Sequence, residues 1–263
     1  MFRRSIVFAS LAAGALLGAA TAAAQGLSWD SETNVAGKKE NQKYTYMPGM
    51  FKAVTGGGQE MIMRLDRETI ASVDRGKKEY WEMTFDELET FMKKAQGMMD
   101  SRMAEMRKQM EGMPEEQRKM MEQMLGPAGP GAEGAIAVKT MPDKKVINGY
   151  TCTKVIVTQG KREAVTLWAT RDVTEYAGMA KEWQEFGKRM AQLTPTVGRA
   201  MAEGMSRIDG FPIRVEAGGM TSEVKNVRKS TTPASEFTVP AGYKRVQPEF
   251  MEEMGKEADD PGQ

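Results

Sequence analysis

Histidine is absent from this 263-residue sequence, and cysteine occurs once, at Cys152. The first absence removes Ser-His-Asp triads, histidine-bearing zinc sites and the ordinary neutral-pH acid/base group. The second removes an intrachain disulfide and any cysteine-cluster site. An excess of one charge is lacking too: 37 Lys and Arg stand against 36 Asp and Glu, for a formal charge of +1. No strong basic field is left to draw nucleic acid. Long apolar runs are confined to the first two dozen residues. With 28% charged and 40% hydrophobic residues, the rest is globular in composition.

Residues 1–24 read MFRRSIVFASLAAGALLGAATAAA. Arg3 and Arg4 make a positive start, Ile6 to Leu17 an apolar stretch, and Ala22-Ala23-Ala24 a small-residue cleavage site. Those are the three parts of a secretory signal, in order. The apolar stretch falls short of the ~20 residues a bilayer span needs. Cleavage near Ala24 takes 263 residues to 239 and, with two arginines lost, the charge from +1 to −1. No transmembrane segment remains. An Ala-rich signal without stapling disulfides points to a bacterial periplasm.

From Gly26 to Met83, short runs of alternating polarity are punctuated by Gly37, Gly56-Gly57-Gly58 and Asp74-Arg75-Gly76. That pattern predicts an antiparallel meander with one half-buried face. A helix is predicted from Thr84, where Thr84 and Glu87 have capping-box spacing and Met83 and Leu88 staple positions. It runs to about Gly112, and Pro114 opens a second helix ending at Gly126. At ~1.5 Å per residue the first would span roughly 43 Å, so part of it projects or bends at Gly97. The stretch 126–134 is a Gly/Pro return loop. Strands resume at Ala135, with an Asn148-Gly149 hairpin turn. A helix from about Thr174 carries the stripe Tyr176, Met179, Trp183, Phe186, Met190 and Leu193. Thr194-Pro195 starts another, with Val197, Met201, Met205 and Ile208. Phe211–Glu216 and Met220–Val227 form a last hairpin across Gly218-Gly219. Residues 248–263 carry six acids and one lysine and are expected to be a disordered tail. Helices inserted between strands, without regular alternation, indicate α+β. The expected architecture is a curved antiparallel sheet, a half-open barrel, with helices over its concave face burying both stripes. One domain spans 25–247, with a long Met-rich helical insertion at 84–134.

Ten of the 24 methionines lie between Met92 and Met124. Met92, Met99, Met106, Met113 and Met120 recur every seven residues, and Met103, Met110 and Met124 follow four after members of that series. From Met99 to Met113 the spacing is 4-3-4-3, that of a helix contact seam. Three readings are open. The seam packs on the sheet or another helix, as amphipathic helices ordinarily do. Alternatively Met99, Met103, Met106, Met110 and Met113, with Trp183 and Phe186 on the later helix, form an adaptable surface for an apolar small molecule, a lipid or a hydrophobic protein segment. Or Met103, Met106, Met110 and Met113 offer thioethers to Cu(I), or buffer oxidants.

Catalytic signals are weak. Ser222-x-x-Lys225 has a Ser/Lys spacing that needs a helix, and it falls in a strand pattern. Gly56-Gly57-Gly58 lacks the lysine of a phosphate loop. Cys152 reads as a buried inert thiol, with a reactive or intermolecular thiol the alternative because it is unpaired in an exported chain. No acid/base or nucleophile set assembles, so the sequence reads as a non-enzymatic binding protein without a cofactor.

Four segments carry a resemblance: Ile147-Asn-Gly-Tyr-Thr-Cys-Thr-Lys154, Gly210-Phe-Pro-Ile-Arg-Val-Glu216, Glu236-Phe-Thr-Val-Pro-Ala-Gly-Tyr243, and the Met-Pro-Glu-Glu-Gln-Arg-Lys-Met-Met run at 113–121. They resemble an uncharacterised family of exported bacterial proteins, known as a domain of unknown function. That family is in turn similar to the periplasmic lipoprotein-carrier superfamily. The resemblance implies a half-open antiparallel barrel whose helices lid an apolar cavity, and no catalytic residues.

Overall fold

The structure is a computed structural model that describes residues 25–111, 136–160, 162–191, 207–248 and 250–251. The expectations for residues 1–24, for a second helix after Pro114, for the loop 126–134 and for most of the helix after Thr194 lie outside them. So does Met113.

Six strands precede the first helix: β1 Gly26–Val35, β2 Lys38–Met47, β3 Met50–Thr55, β4 Gln59–Arg64, β5 Thr69–Asp74 and β6 Glu79–Thr84. Then comes α1, Phe85–Glu111. Next are β7 Ile136–Ile147, β8 Tyr150–Gln159 and β9 Arg162–Thr170. Helix α2, Tyr176–Ala191, leads to β10 Phe211–Ala217 and β11 Met220–Ser230. A 3₁₀ turn at Ala234–Phe237 and the two-residue β12, Lys244–Arg245, follow β11. The twelve strands of the described residues form one sheet in the order β12-β6-β5-β4-β3-β2-β1-β11-β10-β9-β8-β7. Every pairing is antiparallel except β12 with β6. The ends do not meet, so the sheet is open.

Local chemistry accounts for the element ends. Thr84 Oγ1 accepts the Glu87 N–H at 3.1 Å, and Glu87 Oε2 accepts the Thr84 N–H at 2.7 Å. This reciprocal pair satisfies two orphan donors at the start of α1. Asn148 and Gly149 have φ of 51° and 85°, the two positive values a type I′ turn needs. Gly210, ahead of β10, has φ of 112°, and a Cβ there would lie 2.5 Å from the Thr170 carbonyl oxygen. Only glycine fits that close approach.

Strand register builds a continuous apolar row. Leu27, Tyr46, Phe51, Met63, Ile70 and Met83 stand opposite one another across β1 to β6. Helix α2 packs on this face, with Met179 in the core beside Leu27, Trp29, Tyr46, Phe211 and Ile213. The other face of β3–β5 is also covered. Phe237, 1% exposed, packs there with Ile62, Ala71 and Val73. Alternation in β4 therefore departs from the half-buried pattern: Glu60, Ile62, Met63 and Arg64 are all buried, and only one apolar position, Met61, is open. The reason is the C-terminal segment, which lies over the second face.

Candidate functional site

An aromatic ladder joins the sheet to both helices. Trp29 stacks on Tyr44 with centroids 5.1 Å apart and meets Phe211 edge-on at 5.3 Å. Phe211 meets Tyr176 of α2 at 5.2 Å. One strand over, Phe51 meets Trp183 at 5.2 Å, Trp183 meets Phe186 at 5.9 Å, and Phe186 meets Phe85 of α1 at 5.1 Å. Trp183 thus faces the sheet, and Phe186 bridges to α1. Both are half-buried. Burial lifts the hydroxyl pKa values of Tyr44 and Tyr176. That of Tyr46 is raised most, by burial and by the Glu182 carboxylate it faces.

In helix α1 burial is concentrated at the first residue. Phe85 is its one buried residue among those described. Leu88, Phe91, Met92, Ala95, Met98, Met103 and Met106 are half-buried, while Lys93, Lys94, Asp100 and Glu105 are exposed. Met103 and Met106 share a face one turn apart. The side chains of Met99 and Met110 are outside the described set. The helix continues through Gly97 without interruption.

Electrostatics fix where the helices meet. Arg189 of α2 pairs with Glu68 in the β4–β5 turn at 2.7 Å and with Asp86 in the first turn of α1 at 2.6 Å. Its guanidinium also lies 5.5 Å from the Phe85 ring centroid. Both Glu182 oxygens accept the Gly49 N–H, at 3.1 and 3.0 Å. Between these contacts lies an open cleft of about 350 Å³, floored by Leu65, Phe85 and Phe186 and walled by Asp66, Glu182 and Glu185. Its carboxylates are largely engaged: Glu182 with Gly49, Glu68 with Arg189, and Asp66 with Arg64 at 2.7 Å. The Arg64 guanidinium holds the Asp66 carboxyl below its ordinary range.

Reactive groups are subdued. Burial, with the charge of Asp172, pushes the Cys152 thiol up, away from the thiolate form that reacts. Ser222 lies in β11, where its hydroxyl bonds Ser31 at 2.9 Å and Thr33 at 3.0 Å. It is a strand residue in a hydroxyl ladder. Among the described residues, no group of three His, Cys, Asp or Glu is placed to hold a metal ion. No helix among them is long and apolar enough to cross a membrane.

Part of the segment expected to be a disordered tail is packed. Pro248 is buried. Phe250 meets Trp81 at 5.7 Å and Phe91 at 4.8 Å. The one sequence signal was an aromatic residue among acids.

A model of the family described as a domain of unknown function, DUF4412, matches residues 81–243. The chain belongs to this family. The DUF4412 match takes in α1, α2, the strands β7 to β11 and all four motif segments. It starts at Trp81 in β6 and ends one residue before β12. No curated protein matches the sequence. Two solved structures are similar in outline. MucB in complex with MucA(peri) has 10% identity and a TM-score of 0.38, covering 85% of this chain. The Pseudomonas aeruginosa MucA/MucB complex has 8% identity and a TM-score of 0.36, again covering 85%. The chain spans 57% and 58% of those two chains.

Proposed function

We propose that this DUF4412 protein is a periplasmic, non-enzymatic binding protein for an apolar ligand or partner: a lipid, or a lipidated or otherwise hydrophobic protein segment. The observation that carries the reading is the state of α1. Its apolar stripe from Leu88 to Met106 is half-buried, beyond the one turn anchored by Phe85 and Arg189. A methionine-rich stripe in that state can repack around varied apolar shapes. In this reading the α2-covered face is the concave side of a half-open barrel. Residues 25–247 act as one domain with 84–134 as its insertion, and Met99, Met103, Met106, Met110, Met113, Trp183 and Phe186 border the bound group.

Replacing Met99, Met103, Met106, Met110 and Met113 together by leucine tests it. Volume is nearly kept, so each site should cost under ~1.5 kcal/mol and the variant should fold. Lipid co-purification, read by native mass spectrometry, should narrow to fewer species. An unchanged lipid profile together with unchanged Cu(I) binding would reduce the seam to packing. A second reading, soft-metal binding or oxidant buffering, draws on the half-buried Met103 and Met106 one turn apart. It predicts that the same variant loses anaerobic Cu(I) binding while its lipid profile stays put.

Export has its own check. Protein recovered from the cell envelope should begin at or near Gln25. An intact Met1 on that material would remove the periplasmic assignment.

A further inference from the structure

The C-terminal segment has two parts with different attachments. The first is anchored on the outer face of β3–β5: Phe237 is 1% exposed, Lys52 Nζ donates to the Glu236 carbonyl at 3.1 Å, and Arg64 Nη1 donates to the Phe237 carbonyl at 3.4 Å. The second pairs with the edge of the sheet. β12 is two residues long, and both its side chains are exposed. Lys244 N–H donates to the Lys78 carbonyl at 2.9 Å, and Val246 N–H to the Tyr80 carbonyl at 2.8 Å. Arg245 Nη2 donates to the Glu82 carbonyl at 2.7 Å. Four residues after Val246, the Phe250 ring fills the notch between Trp81 on β6 and Phe91 on α1, nearly perpendicular to Trp81 at 89°.

We propose that the β6 edge with its Trp81–Phe91 notch is a docking site for an extended peptide bearing an aromatic anchor, and that the chain's own Lys244–Val246 and Phe250 occupy it in cis. Three observations converge. Without β12, β6 would be the free edge of the sheet, with its carbonyls open to a new strand. The occupant defines the fit: backbone pairing at positions 244 and 246, and an aromatic ring at 250. The anchor at Phe237 is separate, so residues 244–251 can leave while the outer face stays covered. The family match also includes Trp81 and Phe91 and stops at residue 243, before the occupying segment. This site is independent of the methionine seam, since Phe91 is the one α1 residue it uses.

The test uses the protein ending at Tyr243 and a fluorescent peptide of residues 244–263, read by anisotropy. The shortened protein should bind the peptide, and the full chain, whose site is filled, should bind at least tenfold more weakly. Phe250→Ala in the peptide, or Trp81→Ala in the shortened protein, should weaken binding at least tenfold. A foreign sequence keeping only the valine and phenylalanine at that spacing should bind, and moving its phenylalanine by two positions should abolish binding. A second variant guards against misfolding of the shortened protein: full-length Phe250→Ala keeps the whole backbone and should gain peptide binding relative to the unaltered chain. Equal binding by the native and Phe250→Ala peptides would overturn the proposal. So would equal binding by the full and shortened proteins, or no binding by either variant.

Discussion

Phe211→Ala is expected to cost about 3–5 kcal/mol, the range for truncating a fully buried aromatic side chain. Phe211 is 2% exposed, sits in β10, and touches both Trp29 and Tyr176 edge-on. Alanine would leave a void where β1, β10 and α2 converge, and packed interiors collapse only partly around such voids. For a domain of this size Tm should fall by roughly 6–20 °C. Trp183→Ala is the informative partner. Although Trp183 faces the sheet, it is half-buried, so about 1–2 kcal/mol is expected from the area it loses. Urea unfolding of the two variants decides the matter. Equal costs would show that Trp183 is as deeply packed as Phe211.

Glu60→Ala should cost a similar amount, about 3–5 kcal/mol, for a different reason. Glu60 is on the outer face of β4 with a side chain 3% exposed. Its Oε2 lies 3.2 Å from Lys52 Nζ, off the angle of a hydrogen bond, and its Oε1 pairs with Arg75. Lys52 is itself 11% exposed. Removing the carboxylate leaves an ammonium buried with the Glu236 carbonyl and a carboxylate 4.0 Å away. An uncompensated buried charge is costly, whereas replacing the whole pair by apolar groups is often neutral. The double variant Lys52→Met/Glu60→Leu should therefore recover most of the loss. Limited proteolysis near residue 236 should speed up in Glu60→Ala and return toward normal in the double variant. A double variant as unstable as Glu60→Ala would show that the pair acts through packing instead of charge.

The features that could be read from the chain are those with local causes. Thr84 and Glu87 cap α1 because their spacing closes two hydrogen bonds within one turn. Asn148-Gly149 and Gly218-Gly219 turn hairpins because each pair tolerates positive φ. Tyr176, Met179 and Trp183 of α2 face the sheet because they recur every three or four positions. The site was less legible. Trp183 and Phe186 stood out as large apolar groups on that stripe. Arg189, Glu68 and Asp86 did not, because three charges far apart in sequence announce no partnership. Phe250 was hidden in a segment whose acidity outweighed one ring.

Sequence alone determined the strand-rich α+β composition, the absence of histidine chemistry, the places of the tight turns and the start of the methionine helix, since each depends on residue type or on neighbours within a few positions. Tertiary structure decided the rest. It placed β1 beside β11, so that the first and last long strands join two meanders into one sheet. It laid Phe237 over Ile62, Ala71 and Val73, which turned a strand of alternating polarity into one buried on both sides. It also left the α1 stripe from Leu88 to Met106 half-buried, with Phe85 the one buried residue of that helix among those described. Such contacts join residues more than two hundred positions apart, as Gly26 and Ser230 are. They depend on register and on which face a neighbour covers, and neither is encoded in any short stretch of the chain.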